Sequence, residues 1–153
     1  MDLLTYPSLL TGLNRKLQQH ISRICRPCIL QHHMTEMQYE VLSYIAAHNA
    51  CKIKDLVEEL AQDAGNMSTL CKKLEKASLL TRVRDDKDER IVRLYISEQG
   101  ASRIEQINQA IAERYERLFE GKTNKEKERF TAGCIRMNQF LDYIMGKGGE
   151  EDE

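Results

Sequence analysis

Residues 56–80, LVEELAQDAGNMSTLCKKLEKASLL, and residues 85–100, DDKDERIVRLYISEQG, decide the fold, because the hydrophobic period changes between them. In the first stretch Met67, Leu70, Cys71 and Leu74 are spaced i, i+3, i+4, i+7, which is one face of an amphipathic helix. Asp63 stands at an N-cap position, and the spacing predicts a helix of roughly 14 residues after it. A shorter helix over Ile53–Leu60 precedes it. In the second stretch Val92, Leu94 and Ile96 alternate with Arg93 and Tyr95, and Val83 lies between Arg82 and Arg84. Alternation is the period of a strand, so two short strands should flank the charged tip DDKDER of residues 85–90 as a hairpin.

Outward from this centre, Thr35 and Gln38 form a capping box that opens a helix carrying Val41, Leu42 and Ile45, before a polar turn at His48 and Asn49. Further upstream Leu10, Leu13, Leu17, Ile21, Ile24 and Cys28 trace one stripe of a first helix, which Pro27 is expected to kink or end. Downstream, Ser97 caps a long helix with Ile104, Ile107, Ile111 and Leu118 on one side, ending near Gly121. Thr123 and Glu126 open a last helix, with Phe130, Cys134, Met137, Leu141 and Ile144 in line and Gly146 as its expected close.

The pattern implies a mainly α chain: a winged helix-turn-helix of three helices plus a β-hairpin wing, flanked by N- and C-terminal dimerisation helices. The expected boundaries are 1–34 for the N-terminal helix and linker, 35–97 for the winged lobe, 98–147 for the C-terminal helices and 148–153 for an acidic tail, in one cooperative unit. The middle can build its own core. The outer helices carry narrow seams at near-heptad spacing, for which an intertwined homodimer is the economical reading and a monomeric bundle the alternative.

At 153 residues the chain has room for one ordinary domain. The formal charge of −1 averages two unlike regions. The last six residues hold four carboxylates, whereas residues 66–93 hold eight Lys or Arg against five Asp or Glu. That local excess matters to a polyanionic partner. The opening residues lack a basic n-region and are interrupted by Asp2, Pro7 and Gly12, so neither a signal peptide nor a membrane span is expected, and the cytoplasm is the expected location. Five cysteines fit free thiols in a reducing compartment. No Gly-rich phosphate loop, H-E-x-x-H or nucleophile elbow is present, so the chain reads as a non-enzyme without a cofactor.

The stretches quoted above resemble the MarR family of transcriptional regulators, whose wing has the form D-x-R-x-x-x-L-x-[LI]-[ST]-x-x-G. Asp88, Arg90, Leu94, Ile96, Ser97 and Gly100 fill it one for one. The resemblance is strong over residues 35–100. It departs at Ala77 and Ser78, where the family often has a basic residue and a glycine, and at Ala64, where many relatives have an arginine near the DNA. Base preference therefore does not carry over.

On a helical wheel, Thr69, Lys72 and Lys76 point away from the apolar face, with Asn66, Ser68 and Lys73 on its shoulders. Such a set suits double-stranded DNA: Asn66 and Thr69 at base edges in the major groove, Ser68, Lys72 and Lys73 on phosphates. An ordinary solvated lysine face is the bland alternative, and the basic hairpin that follows, with Arg84, Lys87 and Arg90, argues against it. Arg90 is the expected minor-groove probe, a role the resemblance also implies, with Asp88 fixing its fork. Asp85, Asp86 and Glu89 are read as keeping the hairpin soluble. Cys25 and Cys28, followed by His32 and His33, admit three readings: a thiol switch, a zinc-type site, or packing, with packing the default. The resemblance further implies a small phenolic or lipophilic effector, near which His20, Tyr39 and Tyr44 are placed. The expected function is a dimeric regulator, a repressor on a pseudo-palindromic operator that a small-molecule or redox signal releases. A thiol- or metal-handling protein using its winged helix for protein contacts is the alternative.

Overall fold

The computed structural model describes residues 5–48, 50–88 and 90–147, so Asn49, Glu89 and the acidic tail lie outside the described residues, as does the side chain of Ile144. The elements are α1 (Tyr6–Gln31), α2 (Glu36–Ala47), β1 (Cys51–Lys52), α3 (Ile53–Leu60), α4 (Ala64–Lys76), β2 (Leu80–Arg84), β3 (Val92–Ile96), α5 (Glu98–Leu118) and α6 (Asn124–Lys147). This is the expected mainly helical winged helix-turn-helix with flanking helices. The capping residues act as read: the Thr35 hydroxyl accepts from Gln38 N–H, Asp63 from Asn66 N–H, and Ser97 from Gly100 N–H. Each satisfies a donor that a helix start leaves open.

The hairpin pairs Leu80 with Ile96 and Arg84 with Val92. The two-residue β1, too short to show a period, joins the other edge of β3 and pairs Cys51 with Leu94. By its internal packing the chain divides into two compact units, Met1–Arg114 and Tyr115–Glu153. The core of the first unit is Val41, Leu42 and Ile45 from α2, Leu56 from α3, Met67, Cys71 and Leu74 from α4, and Leu80 and Leu94 from the hairpin. Ile29 of α1 and Ile104 and Ile107 of α5 are buried in the same cluster. The expectation that the flanking helices have no cover within the chain is thus corrected for these segments.

Pro27 neither ends α1 nor marks its last turn, since the helix runs on to Gln31. A mid-helix proline costs about 3 kcal/mol. Cys28 and Ile29, the two residues after it, are almost fully buried, and that burial offsets the loss. The chain turns instead at His33, whose φ is 57°.

In the second unit the Phe119 ring stacks on Tyr115 and tilts against Phe130, at centroid distances of 6.4 and 5.5 Å. Gly121, with φ 81°, makes the turn, and Thr123 and Glu126 form their reciprocal cap. Gly146 does not close α6, which continues to Lys147.

The end of α4 is the most constrained point of the winged lobe. Ser78 N–H donates to the Glu75 carbonyl and Leu79 N–H to the Leu74 carbonyl, the paired bonds of a Schellman motif. Ser78 occupies the left-handed position of that motif at φ 61°, where glycine is the unstrained choice. Its carbonyl accepts the Ser97 hydroxyl at 2.7 Å. Beside it, Gly100 lies so close to Leu79 that an added Cβ would sit 2.0 Å from the Leu79 carbonyl oxygen.

Two outcomes are expected from chemical denaturation. Ser78→Gly should stabilise the protein by about 1 kcal/mol, because it removes left-handed strain and leaves the carbonyl bond in place. Gly100→Ala should destabilise it by about 3 kcal/mol, because the Cβ meets backbone that cannot rotate away.

Candidate nucleic-acid interface

The recognition-helix candidate is α4, held against the core by Met67, Cys71 and Leu74, which are buried, and by half-buried Leu70. That anchoring turns the opposite face outward. Asn66, Thr69, Lys72, Lys73 and Lys76 are exposed and Ser68 is half-buried, in keeping with the wheel. None of the three lysines has an ion pair among the described residues. Burial also pushes the Cys71 thiol up to about 11, so this sulfur stays protonated and acts as a small apolar group.

The wing places Arg84, Lys87, Asp88 and Arg90 at the surface. Its tip is a set of turns made by side chains. Asp85 accepts from Lys87 N–H at 3.0 Å, and Asp88 accepts from Arg90 N–H at 3.0 Å. Asp88 therefore fixes the backbone at Arg90 and not its guanidinium fork, which corrects the sequence expectation. Short acidic side chains favour turns in this way.

Asp85 is likewise more than a solubilising charge. Its other oxygen meets Arg93 Nε at 2.7 Å, and Arg93 Nη1 reaches the Ala50 carbonyl at 3.5 Å. The bonds from Lys87 N–H and the Arg93 guanidinium hold the Asp85 carboxyl below its usual range. This brace links the hairpin to the β1 edge, and sequence spacing offered no sign of it. Across the lobe, Arg82 pairs with Glu75 of α4 at 3.6 Å and ties β2 to that helix.

The remaining candidates are dispersed. Tyr39 donates to Asn108 of α5 at 2.7 Å, whereas Tyr44 stacks on His48 with centroids 4.1 Å apart. Five residues separate the two tyrosines on α2, so they point about 140° apart and share no face. Desolvation pushes both phenols up. His20 is half-buried on α1. A groove of about 420 Å³ near it is lined by Gln19, Ser22, Arg23, Arg26 and Glu36 among others, and Arg26 is already paired with Glu36 at 3.4 Å.

Cys28 is buried, and its thiol donates to the Ile24 carbonyl at 3.5 Å. Cys25 is half-buried near Tyr39. No group of three or more His, Cys, Asp or Glu suited to a metal ion occurs among the described residues. Among them, too, no helix is long and apolar enough to cross a membrane.

A family model for the MarR family matches residues 32–91, the span from the end of α1 to the wing. Over that span the chain is similar to the MarR family. The uncharacterized HTH-type transcriptional regulator YwhA of Bacillus subtilis is 28% identical over 107 residues, covering 70% of this chain and 77% of that protein. The organic hydroperoxide resistance transcriptional regulator of the same organism is 32% identical over 76 residues, covering 50% of this chain and 52% of that one. The match thus spans only about half the length of the second relative.

Solved MarR-type structures share the fold. A Staphylococcus aureus MepR variant bound to an oligodeoxyribonucleotide aligns with a TM-score of 0.64 and 22% identity, over 86% of this chain and 97% of that one. NadR in complex with 4-hydroxyphenylacetate aligns at 0.66 with 21% identity, over 83% and 89%. The cationic face of α4 and the wing thus sit on the part of the sequence that carries the family likeness.

The Asp85 brace gives a pH prediction. A carboxyl whose folded pKa is depressed contributes stability that is present above its unfolded value, 3.8, and is lost as pH falls below it. Asp85→Asn should destabilise the protein at pH 7, and the gap between variant and parent in urea unfolding should narrow at pH 3. A gap that is constant with pH would mean that the brace carries no charge-dependent stability.

Proposed function

We propose that this chain is a homodimeric transcriptional regulator that binds a pseudo-palindromic DNA operator and acts as a repressor. The observation that carries the reading is the outer face of α4, where Lys72, Lys73 and Lys76 are exposed and unpaired among the described residues, next to a wing whose Arg90 is also exposed. In this reading α4 enters the major groove, with Asn66 and Thr69 at base edges and Ser68, Lys72, Lys73 and Lys76 near phosphates. Arg90 enters the minor groove, where a narrow channel concentrates negative potential, and Arg84 and Lys87 approach the backbone. Asp88 supports that probe by holding its backbone. The MepR structure bound to an oligodeoxyribonucleotide supports the same assignment by analogy of fold.

The dimer is proposed through the terminal helices. Leu17 and Ile21 of α1, and Phe130, Met137 and Leu141 of α6, are between 39% and 53% exposed, a large apolar surface to leave in water. A second copy would cover it and set two recognition helices about one helical turn apart, roughly 34–36 Å. The protein would bind rather than catalyse, in the cytoplasm, without a cofactor.

Release is assigned to a chemical signal. The NadR complex favours a small phenolic effector near His20, Tyr39 or Tyr44, and the hydroperoxide regulator favours an oxidant acting at Cys25. Burial of Cys28 argues for a packing role at that position.

Titration of duplex binding against salt tests the main reading. If about eight phosphates are neutralised per dimer, the logarithmic slope should be near −7, and Arg90→Ala and Lys72→Ala should each weaken binding without unfolding the protein. Unchanged affinity in both variants would mean that the DNA face lies elsewhere. Sedimentation at micromolar concentration should give a dimer, and a stable, well-folded monomer would remove the half-site geometry. For the signal, affinity before and after mild hydroperoxide should differ in the parent and not in Cys25→Ser if the thiol is the sensor. A response that survives the substitution points to the small-molecule reading.

A further inference from the structure

The grooves around the wing differ in how their cations are balanced. On one side, Arg84, Lys87 and Arg93 line a groove with Asp85 and Asp86, and Asp85 already holds Arg93. On the other, the first residues of α3 and the base of the wing enclose a groove of about 340 Å³ lined by Lys52, Ile53, Lys54, Arg90, Ile91 and Val92. Among the described residues that lining has three cations and no carboxylate.

The nearby acids among the described residues already have partners. Asp55 accepts Lys52 N–H at 2.7 Å, Asp88 accepts Arg90 N–H at 3.0 Å, and Glu58 meets Lys54 at 3.4 Å in a pair whose side chains are both largely exposed. Such an exposed pair is weak and readily exchanged for a stronger anion. Arg90 has no side-chain partner among the described residues. The apolar walls, Ile53, Ile91 and Val92, lower the local dielectric and strengthen attraction to an anion that enters.

The framework holding these cations together is rigid. Lys52 pairs with Arg93 in the sheet, so β1 fixes the start of α3 against β3, and the Asp88 turn fixes the backbone at Arg90. With Lys54 answered only by that exposed pair to Glu58, three like charges around one concavity repel one another and favour an entering anion. A tetrahedral phosphate accepts a guanidinium fork and ammonium donors at once.

We propose that this groove is a seat for one backbone phosphodiester of bound DNA in each protomer, held by Lys52, Lys54 and Arg90. The seat rests on the DNA-binding reading and adds an anchor to it that is separate from α4. It makes Arg90 a shared element, whose position at the wing is set partly by the phosphate that α3 holds. A phosphate contact carries no base information, so the seat contributes affinity and register without sequence preference.

The test is duplex binding across a salt series by the parent, the double variant Lys52→Ala/Lys54→Ala, its charge-retaining counterpart Lys52→Arg/Lys54→Arg, and Lys72→Ala as a reference on α4. The double alanine variant should keep the parent's circular dichroism and bind about tenfold more weakly. Its salt slope should be smaller in magnitude by about 2, equally on a selected and a random duplex, and the arginine variant should restore most of both. An unchanged slope in the double alanine variant, while Lys72→Ala lowers it, overturns the seat and leaves the DNA reading standing. A parent that shows no salt-dependent binding overturns both. A final arm adds inorganic phosphate at constant ionic strength. Phosphate that binds the free parent through the two lysines without weakening its duplex binding would assign the groove to a free anion and overturn the phosphodiester proposal. Weaker duplex binding by the parent and not by the double alanine variant supports it, because phosphate competes only at a seat that the DNA occupies.

Discussion

The close approach of Gly100 to the Leu79 carbonyl is the constraint on which the rest of the winged lobe depends. It lets the start of α5 sit directly on the chain leaving α4, so the end of α4 and the exit of the wing are one joint. Ser97 bolts that joint in both directions, donating to the Ser78 carbonyl and accepting from Gly100 N–H. Leu79 and Leu80 then enter the core, and β2 starts in register with the last residue of β3. Any looser contact here would let α4 and the wing move independently, and the proposed DNA surface, which uses both, requires that they do not.

Electrostatics in the wing follow from the same economy. A hairpin tip with several carboxylates looks ill-suited to a polyanion, yet Asp85 and Asp88 serve the chain before they serve the surface. Asp85 braces Arg93 and caps a turn, and Asp88 fixes the backbone that presents Arg90. Their charge is partly answered by backbone donors, and the exposed guanidinium remains available.

Much of this was legible in the sequence because local rules agreed with the global fold. The four Ser, Thr or Asp caps, the i, i+3, i+4, i+7 stripe of α4 and the alternation around Leu94 each depend on neighbours within a few residues, and each appears as read. What escaped was decided at long range. Pro27 argued locally for a helix end, and tertiary burial of Cys28 and Ile29 overrode it. Gly146 argued for a stop that α6 passes through. The seam of α5 looked unpartnered until Ile104 and Ile107 entered the core with Ile29, and β1 was too short to have a period at all. In the candidate site, the outward lysines followed from the wheel. The Arg93 brace and the groove at Lys52 and Lys54 depend on strands that meet across some 40 residues, which no spacing rule reaches.

The central claim is that one contiguous surface, the outer face of α4 with the wing and the start of α3, meets the DNA. Amide hydrogen exchange of the full chain with and without saturating duplex DNA tests it most directly. The account predicts added protection concentrated in residues 63–76, 85–92 and 51–55. Protection confined to α1 and α6, with these three segments unchanged, would contradict it.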